Sequence, residues 1–329
     1  MANGRHMSEP IMNTLPPSQT SATAQTVSHK GAGHSPMEMA TMLPRMISKA
    51  VPRWLKFRIQ AMREWHYGER ELHLLPLVCD PRSVSIDVGA NRGIYTYFLR
   101  KYSAGVLAIE ANPTYVAMIE HIFGKKVPVL QAAASERTDR VTLWIPQDKM
   151  AQGMATVERE NPVAFGDCTS IEVPCITLDS IALNRVGFIK IDVEGHELSV
   201  LKGAAKLLAR DAPTLLIEVE ERHRDNAVAS VRTFLEAYDY DGFFLLDGKL
   251  QPIDRFDAAT YQNPVNLDHG RNKEQRLPYV NNFLFINRDK CVRLRSSLPL
   301  APDAAKTMTQ KPRFQEAAPL QHRSLRTGR

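Results

Sequence analysis

The feature that most limits what this chain can become is an alternation. After Pro81, short apolar runs rich in Val and Ile take turns with segments of helical spacing, joined by short connections. "SVSIDVGA" (83–90) reads as a strand and "GIYTYFLRKY" (93–102) as a helix. "GVLAIEA" (105–111) is a strand again, and "PTYVAMIEHIF" (113–123) a helix with Pro113 in its first turn. "VPVLQAAAS" (127–135), "RVTLWIP" (140–146) and "SIEVPCITLDSI" (170–181) are strand-like, with a polar loop over 147–170. "GFIKIDVEG" (187–195) predicts a strand, 196–211 a helix, "TLLIEVEE" (214–221) a strand and 226–238 a helix. "GFFLLDG" and "NNFLFINR" read as a closing pair of strands around a long polar loop, so an antiparallel edge strand is expected. Repeated β–α units of this kind bury their apolar faces as a mostly parallel sheet with helices on both sides. The expected fold is α/β and Rossmann-like.

The flanks differ from this core. Residues 1–37 are rich in Ser, Thr, Pro, Gly and Gln and are expected to be disordered. Residues 38–80 form a helical segment, 81–290 the α/β domain, and 291–329 a basic, disordered tail. The net charge of +6 sits in that tail: from Arg288 to Arg329 there are ten Lys/Arg and three Asp/Glu, which leaves about −1 (6 − 7) for the rest. A nucleic-acid surface interleaves basic and aromatic side chains on a folded face, so nucleic acid is not the expected partner. Within the helical segment, Trp54, Leu55, Phe57, Ile59, Met62 and Trp65 alternate with Arg53, Lys56, Arg58 and Arg63. Such a stretch (53–66) either lies on an anionic membrane surface as a peripheral contact, or covers the domain's own core or a homo-oligomer interface, the commoner outcome. No run of about 18 apolar residues predicts a transmembrane helix, and no signal-peptide apolar core opens the sequence. The four cysteines (Cys79, Cys168, Cys175, Cys291) lack CxxC or zinc spacing and read as unpaired thiols, in keeping with a cytoplasmic location.

In open α/β sheets, ligands sit beyond the carboxyl ends of the strands, near the switch point. "DVGANRG", Asp87 to Gly93, is the first such end. Gly89 lets backbone approach a ligand, and Gly93 lets the next helix pack closely. The spacing is G-x-x-x-G around Asn91, neither the dinucleotide G-x-G-x-x-G nor a Walker loop with its lysine. Asp87 adds a carboxylate where a pyrophosphate would be repelled. Glu110 ends the second strand, 23 residues on, where an acid can accept both ribose hydroxyls. A ligand with a ribose, a cationic end and no phosphate satisfies all three, and S-adenosylmethionine is such a ligand. The expected cofactor contacts are Asp87, Gly89, Ala90, Asn91, Gly93, Glu110, Asn112 and Ala133.

A second dense stretch is "IKIDVEGHE". Period-two alternation places Lys190, Asp192 and Glu194 on one side and Ile189, Ile191 and Val193 on the other. "LIEVEERH" repeats the theme with Glu218, Glu220 and His223. For His196 and Glu197 the plain alternative is capping of the helix that follows. Acids at neighbouring strand ends bind a divalent metal, hold a base or hydrogen-bond a sugar hydroxyl, and the residues leave these three open.

"SIDVGANRGIYTYFL", "AIEANP", "TLDSI", "FIKIDVEGHELSVLKGA" and "LLIEVEERH" resemble, in order and spacing, the motif series of FkbM-family methyltransferases, over roughly Glu69 to Asn287. The resemblance implies a class I, S-adenosylmethionine-dependent methyltransferase fold with a seven-stranded sheet. It also implies O-methylation of natural products, glycans or glycolipids, so a small-molecule or glycan acceptor. By motif match, Asp87, Gly89, Asn91 and Gly93 line the methionine end and Glu110 the ribose. Asp192 lies beside the methyl group, Glu194 to Glu197 face the acceptor, and Arg92 points outward.

Methyl transfer from a sulfonium asks the protein to align the acceptor and exclude water. An alcohol acceptor must also lose its proton, which a positioned base speeds by about 10²–10⁴-fold. Asp192, His196 and Glu194 are the candidate catalytic residues, with His196 and Asp192 ranked first. In a metal-assisted variant, Asp192 with Glu218 or Glu220 holds a divalent ion. Two other classes remain: an NAD(P)-dependent oxidoreductase, disfavoured by the missing glycine motif, and a non-catalytic cofactor-binding protein of the same fold.

Overall fold

The structure, a computed structural model, describes residues 51–148, 151–159, 167–266 and 278–308. The expected disorder of 1–37, residues 38–50 of the expected helical segment and the chain after 308 lie outside the described residues.

The alternation becomes a mixed sheet of eight strands: β1 (Val84–Val88), β2 (Gly105–Glu110), β3 (Val129–Gln131), β7 (Val186–Ile191), β8 (Thr214–Glu218), β9 (Tyr240–Leu246), β10 (Lys249–Pro252) and β11 (Asn282–Asn287). Their order is β10-β9-β11-β8-β7-β1-β2-β3. The five strands β3, β2, β1, β7 and β8 are parallel, while β11 runs antiparallel between β8 and β9. The antiparallel edge is therefore a different strand from the expected pair: β10 turns back from β9 through Asp247 and Gly248, both at positive φ, and makes an eighth strand that periodicity missed. Its four residues are too few to carry a pattern of their own.

Both faces of the parallel strands are covered, and the side chains sort by period two. Ile86 and Val88 of β1, Leu107 and Ile109 of β2, and Ile189 and Ile191 of β7 face one core. That core is closed by α4 (Glu197–Lys202), α5 (Ala205–Asp211) and α6 (Ala227–Glu236). Val106, Ala108, Phe188 and Leu216 face the other, under α1 (Arg53–Tyr67), α2 (Ile94–Tyr102) and α3 (Pro113–Phe123). The single helix expected over 196–211 is two helices broken at Gly203, where an added Cβ would stand 1.9 Å from the Ser135 carbonyl oxygen.

Two further differences are structural. The strand expected over 127–135 splits, and its end, β4 (Ala133–Ala134), leaves the main sheet for a separate three-stranded one with β5 (Asp139–Pro146) and β6 (Cys168–Ile176). The folded part also reaches beyond 290. Helices α7 (Arg288–Leu294) and α8 (Pro302–Thr307) pack on the second core, with Cys291, Leu298, Ala304 and Met308 buried. At the start of α7, Arg288 pairs with Asp241 at 2.9 Å. All four cysteines are free thiols.

Strand order fixes the site. The chain moves from β1 outward to β3, then returns to lay β7 on the other side of β1. The loops after β1 and β7 leave this switch point and open a crevice at the carboxyl ends of the strands.

Candidate active site

Two adjoining clefts occupy that crevice. The first, about 580 Å³, is lined by Glu110, Tyr115, Ala133, Leu143, Thr156 and Glu194 among others. The second, about 870 Å³, runs toward α1 past Gln60, Glu64, Glu69, Asp87, Ala90 and Lys190. Gly89, Asn91, Gly153 and Asp192 line both.

The glycine loop is shaped by what it touches. Gly89 has φ 73°, and a Cβ there would stand 1.7 Å from the Asp192 carbonyl oxygen. The missing side chain therefore lets the loops after β1 and β7 close on each other. Gly93 serves helix packing: its Cβ would meet Phe123 of α3 at 2.9 Å, and it lines neither cleft. Asn91 sits at φ 49°, donating from its backbone to Glu110 at 2.7 Å and from its side chain to the Gly153 carbonyl at 3.3 Å. Its Oδ1 is buried without a partner. Arg92, expected to point outward, lines the second cleft.

Glu110 is buried, with one oxygen taking the Asn91 N–H and the other the Asn112 N–H, each at 2.7 Å. Burial outweighs those bonds and lifts its carboxyl to about 7. Asn112 supports from behind: its side chain accepts from Thr114 N at 3.0 Å, capping α3, and it lines neither cleft. Asp87 is 1% exposed and accepts from the Thr96 hydroxyl, and burial raises it to about 6.

Beyond the glycine loop lies a crowded acidic end. Lys190 is buried, donates to Asn282 Oδ1 at 3.0 Å and stands 3.7 Å from Glu218. Burial alone would lower its pKa, but the charges of Asp192, Glu218, Glu69 and Asp87 together hold it above the usual lysine value. Burial raises both Asp192 and Glu218, the charge of Asp192 raises Glu218 further, and the Lys190 ammonium opposes both rises. Glu194 leaves β7 at φ 53°, and burial pushes its carboxyl well above the usual range.

This end does not fit a divalent metal. Arg222 holds Glu220 with both Nε (2.7 Å) and Nη2 (2.9 Å), and the Tyr279 hydroxyl also donates to it. Lys190 already supplies a cation beside Asp192 and Glu218. Among the described residues no group of three or more His, Cys, Asp or Glu side chains could hold a metal ion.

His196 is tied down on both sides. Nδ1 lies 2.6 Å from Glu158 and Nε2 2.8 Å from the Ser135 hydroxyl, so neither ring nitrogen is open to an acceptor. Glu197, the first residue of α4, turns back to accept from Gly195 N at 2.8 Å in the preceding loop, and no side chain caps the helix. Sequence reasoning missed the strap over residues 151–159. It crosses the first cleft and is fastened by Gly153 to Asn91, by Thr156 to the Glu194 carbonyl (2.8 Å) and by Glu158 to His196. No strand or helix period marks it, since its few residues are placed by single contacts.

A buried acid at the end of β2, an open acceptor on Asn91 and a cleft at the switch point therefore lie together, where open α/β sheets bind their ligands. Residues 87–241 match the family model of the methyltransferase FkbM domain. That match runs from the end of β1 to the start of β9. Hexuronic acid methyltransferase AglP of Haloferax volcanii is 28% identical over 163 residues, covering 46% of this chain and 65% of that protein. Among solved structures, methyltransferase FkbM from Methylobacillus flagellatus KT is 17% identical with a TM-score of 0.39, over 76% of this chain and 60% of that one. SMU.1697c from Streptococcus mutans, in complex with SAH, is 12% identical with a TM-score of 0.37, over 66% of this chain and 96% of that one. The chain thus spans less than two thirds of AglP and of the Methylobacillus protein.

Proposed function

We propose that this protein is an S-adenosylmethionine-dependent methyltransferase whose acceptor is a hydroxyl of a sugar, glycan or related small molecule. The observation that carries the reading is the pairing of Glu110 with the buried, unpartnered Oδ1 of Asn91 in one cleft, without any phosphate-binding loop. Glu110 keeps further lone pairs for two ribose hydroxyls, and Asn91 Oδ1 suits a donor such as an ammonium. Tyr115, Ala133 and Leu143 offer an apolar slot for a base. The AglP match, a hexuronic acid methyltransferase, supports a sugar-type acceptor. When bound, the cofactor supplies a methyl group on a sulfonium whose neutral thioether departs without acid assistance.

In this reading the protein's own part is positioning and charge. Lys190 holds Asp192 and Glu218 at a fixed place beside the cleft, and the strap 151–159 narrows it against water. Excess carboxylates at this end favour a cationic ligand and a neutral polyhydroxyl over an anionic acceptor. Calorimetry is the test: S-adenosylhomocysteine should bind with micromolar or better affinity, while NADH should give no heat. The reverse preference would sink the methyltransferase reading in favour of the oxidoreductase.

A finer part of the proposal concerns place. Among the described residues no helix is long and apolar enough to cross a membrane. On α1, Trp54, Ile59 and Tyr67 are exposed beside Arg53, Lys56, Arg58 and Arg63, while Phe57 and Ala61 face the core. We read this outer face as a peripheral contact with anionic bilayers from the cytoplasm, which would bring the cleft to a lipid-borne glycan.

A further inference from the structure

Resting on the methyltransferase reading, we propose that Glu194 and His223 form the proton-accepting dyad for the acceptor hydroxyl, with Glu194 as the residue that touches it and His223 as the store behind it. The two histidines near the cleft differ in one decisive respect. His196 has both ring nitrogens engaged. The side chain of His223 is 6% exposed, its Nε2 has no hydrogen-bond partner, and it lies 3.4 Å from Glu194 Oε2. A buried imidazole nitrogen without a partner is costly unless it has a task. The separation is longer than a good hydrogen bond, as such contacts often are before substrate tightens them. Glu194 in turn lines the first cleft beside Asp192, while its backbone carbonyl is pinned by Thr156.

The charges around the pair favour the form needed. Glu194 is surrounded by Asp192, Glu220 and Glu197, with Arg222 as the opposing cation. His223 is faced by Glu220 and Arg222. Burial raises the carboxyl and lowers the imidazole, which favours the form with one proton, on Glu194, and a neutral His223. As the acceptor oxygen is alkylated, its proton passes to one oxygen of Glu194 while the other gives its own to His223 Nε2. The dyad then holds two protons and one positive charge, matching the charge that leaves the sulfonium. The second proton later returns to solvent through His223.

The test has two arms, both on the full chain. In the first, the imidazole of His223 is titrated by NMR without any ligand, in the wild type and in Glu194→Gln. The dyad requires its pKa to move by at least about half a unit. An unchanged titration overturns the coupling, whether or not the protein proves to be a methyltransferase. In the second, His223→Gln and His223→Asn are assayed against a set of neutral methyl glycosides, with S-adenosylhomocysteine affinity measured alongside. We expect kcat to fall by about 10²-fold or more, with loss of the acidic limb of its pH profile and cofactor affinity within twofold. A kcat within twofold of wild type overturns the proposal. Absence of cofactor binding in the wild type would instead sink the underlying functional reading, with the NMR arm still deciding the dyad.

Discussion

Glu110 shows how far one residue can be read ahead of its fold. Its place at the end of β2 marked it as a ribose acceptor, but its protonation depends on what buries it. At about 7 its folded pKa lies above the 4.5 of an ordinary glutamate. The stability linked to its protonated form is complete below about 4.5 and lost as pH rises through about 7. Ribose hydroxyls donate to the ionised form, so binding should release a proton. S-Adenosylhomocysteine affinity should weaken by up to about tenfold from pH 7 to pH 6, and change little from pH 8 to 9. Glu110→Gln should weaken binding at pH 8 by about tenfold or more and flatten the profile. Calorimetry across that range checks both. His196 illustrates the opposite outcome. Its local sequence suggested a base, but Ser135 and Glu158, 61 and 38 residues away in sequence, turn it into a clamp.

At the scale of elements, the parallel strands and their helices were legible because each carries its own period. The strap 151–159 and the hairpin strand β10 were not: the strap is fastened to Asn91, Glu194 and His196, all distant in sequence, and the four residues of β10 are too few to carry a period. The strap's role can be measured. Burial and the His196 contact act in opposite directions on Glu158, and the contact holds its carboxyl below the usual range. Removing it with Glu158→Ala should cost about 1 kcal/mol, since the side chain is 37% exposed and solvent screens the pair. Amide exchange over 151–159 should quicken by about fivefold, with the parallel strands unaffected. Equal exchange in variant and wild type would show that the strap is held by Thr156 and Gly153 alone.

The whole molecule joins the switch-point crevice to a basic aromatic helix on the face that carries α1, α2 and α3. If α1 meets a bilayer, the full chain should co-sediment with vesicles containing about 30% anionic lipid and leave neutral ones. Trp54→Ala with Lys56→Glu should reduce binding at least fivefold, and 0.5 M salt should do the same. Binding that ignores both salt and lipid charge would argue against this face.

The sequence by itself determined the α/β class, the positions of the parallel strands and the strand ends that carry acids, since period, turn glycines and chain order are local properties. The FkbM resemblance was legible for the same reason, in five short motifs. Tertiary structure alone decided which of those acids stay open. Gly89 proved to answer to the Asp192 carbonyl, Asn112 to a helix end, Glu220 to Arg222 and Tyr279, and His196 to two distant partners. It also decided that Lys190 stands among four carboxylates and that His223 faces Glu194. Hydrogen-bond partners and burial depend on residues brought together from across the chain, and no spacing along one segment encodes them.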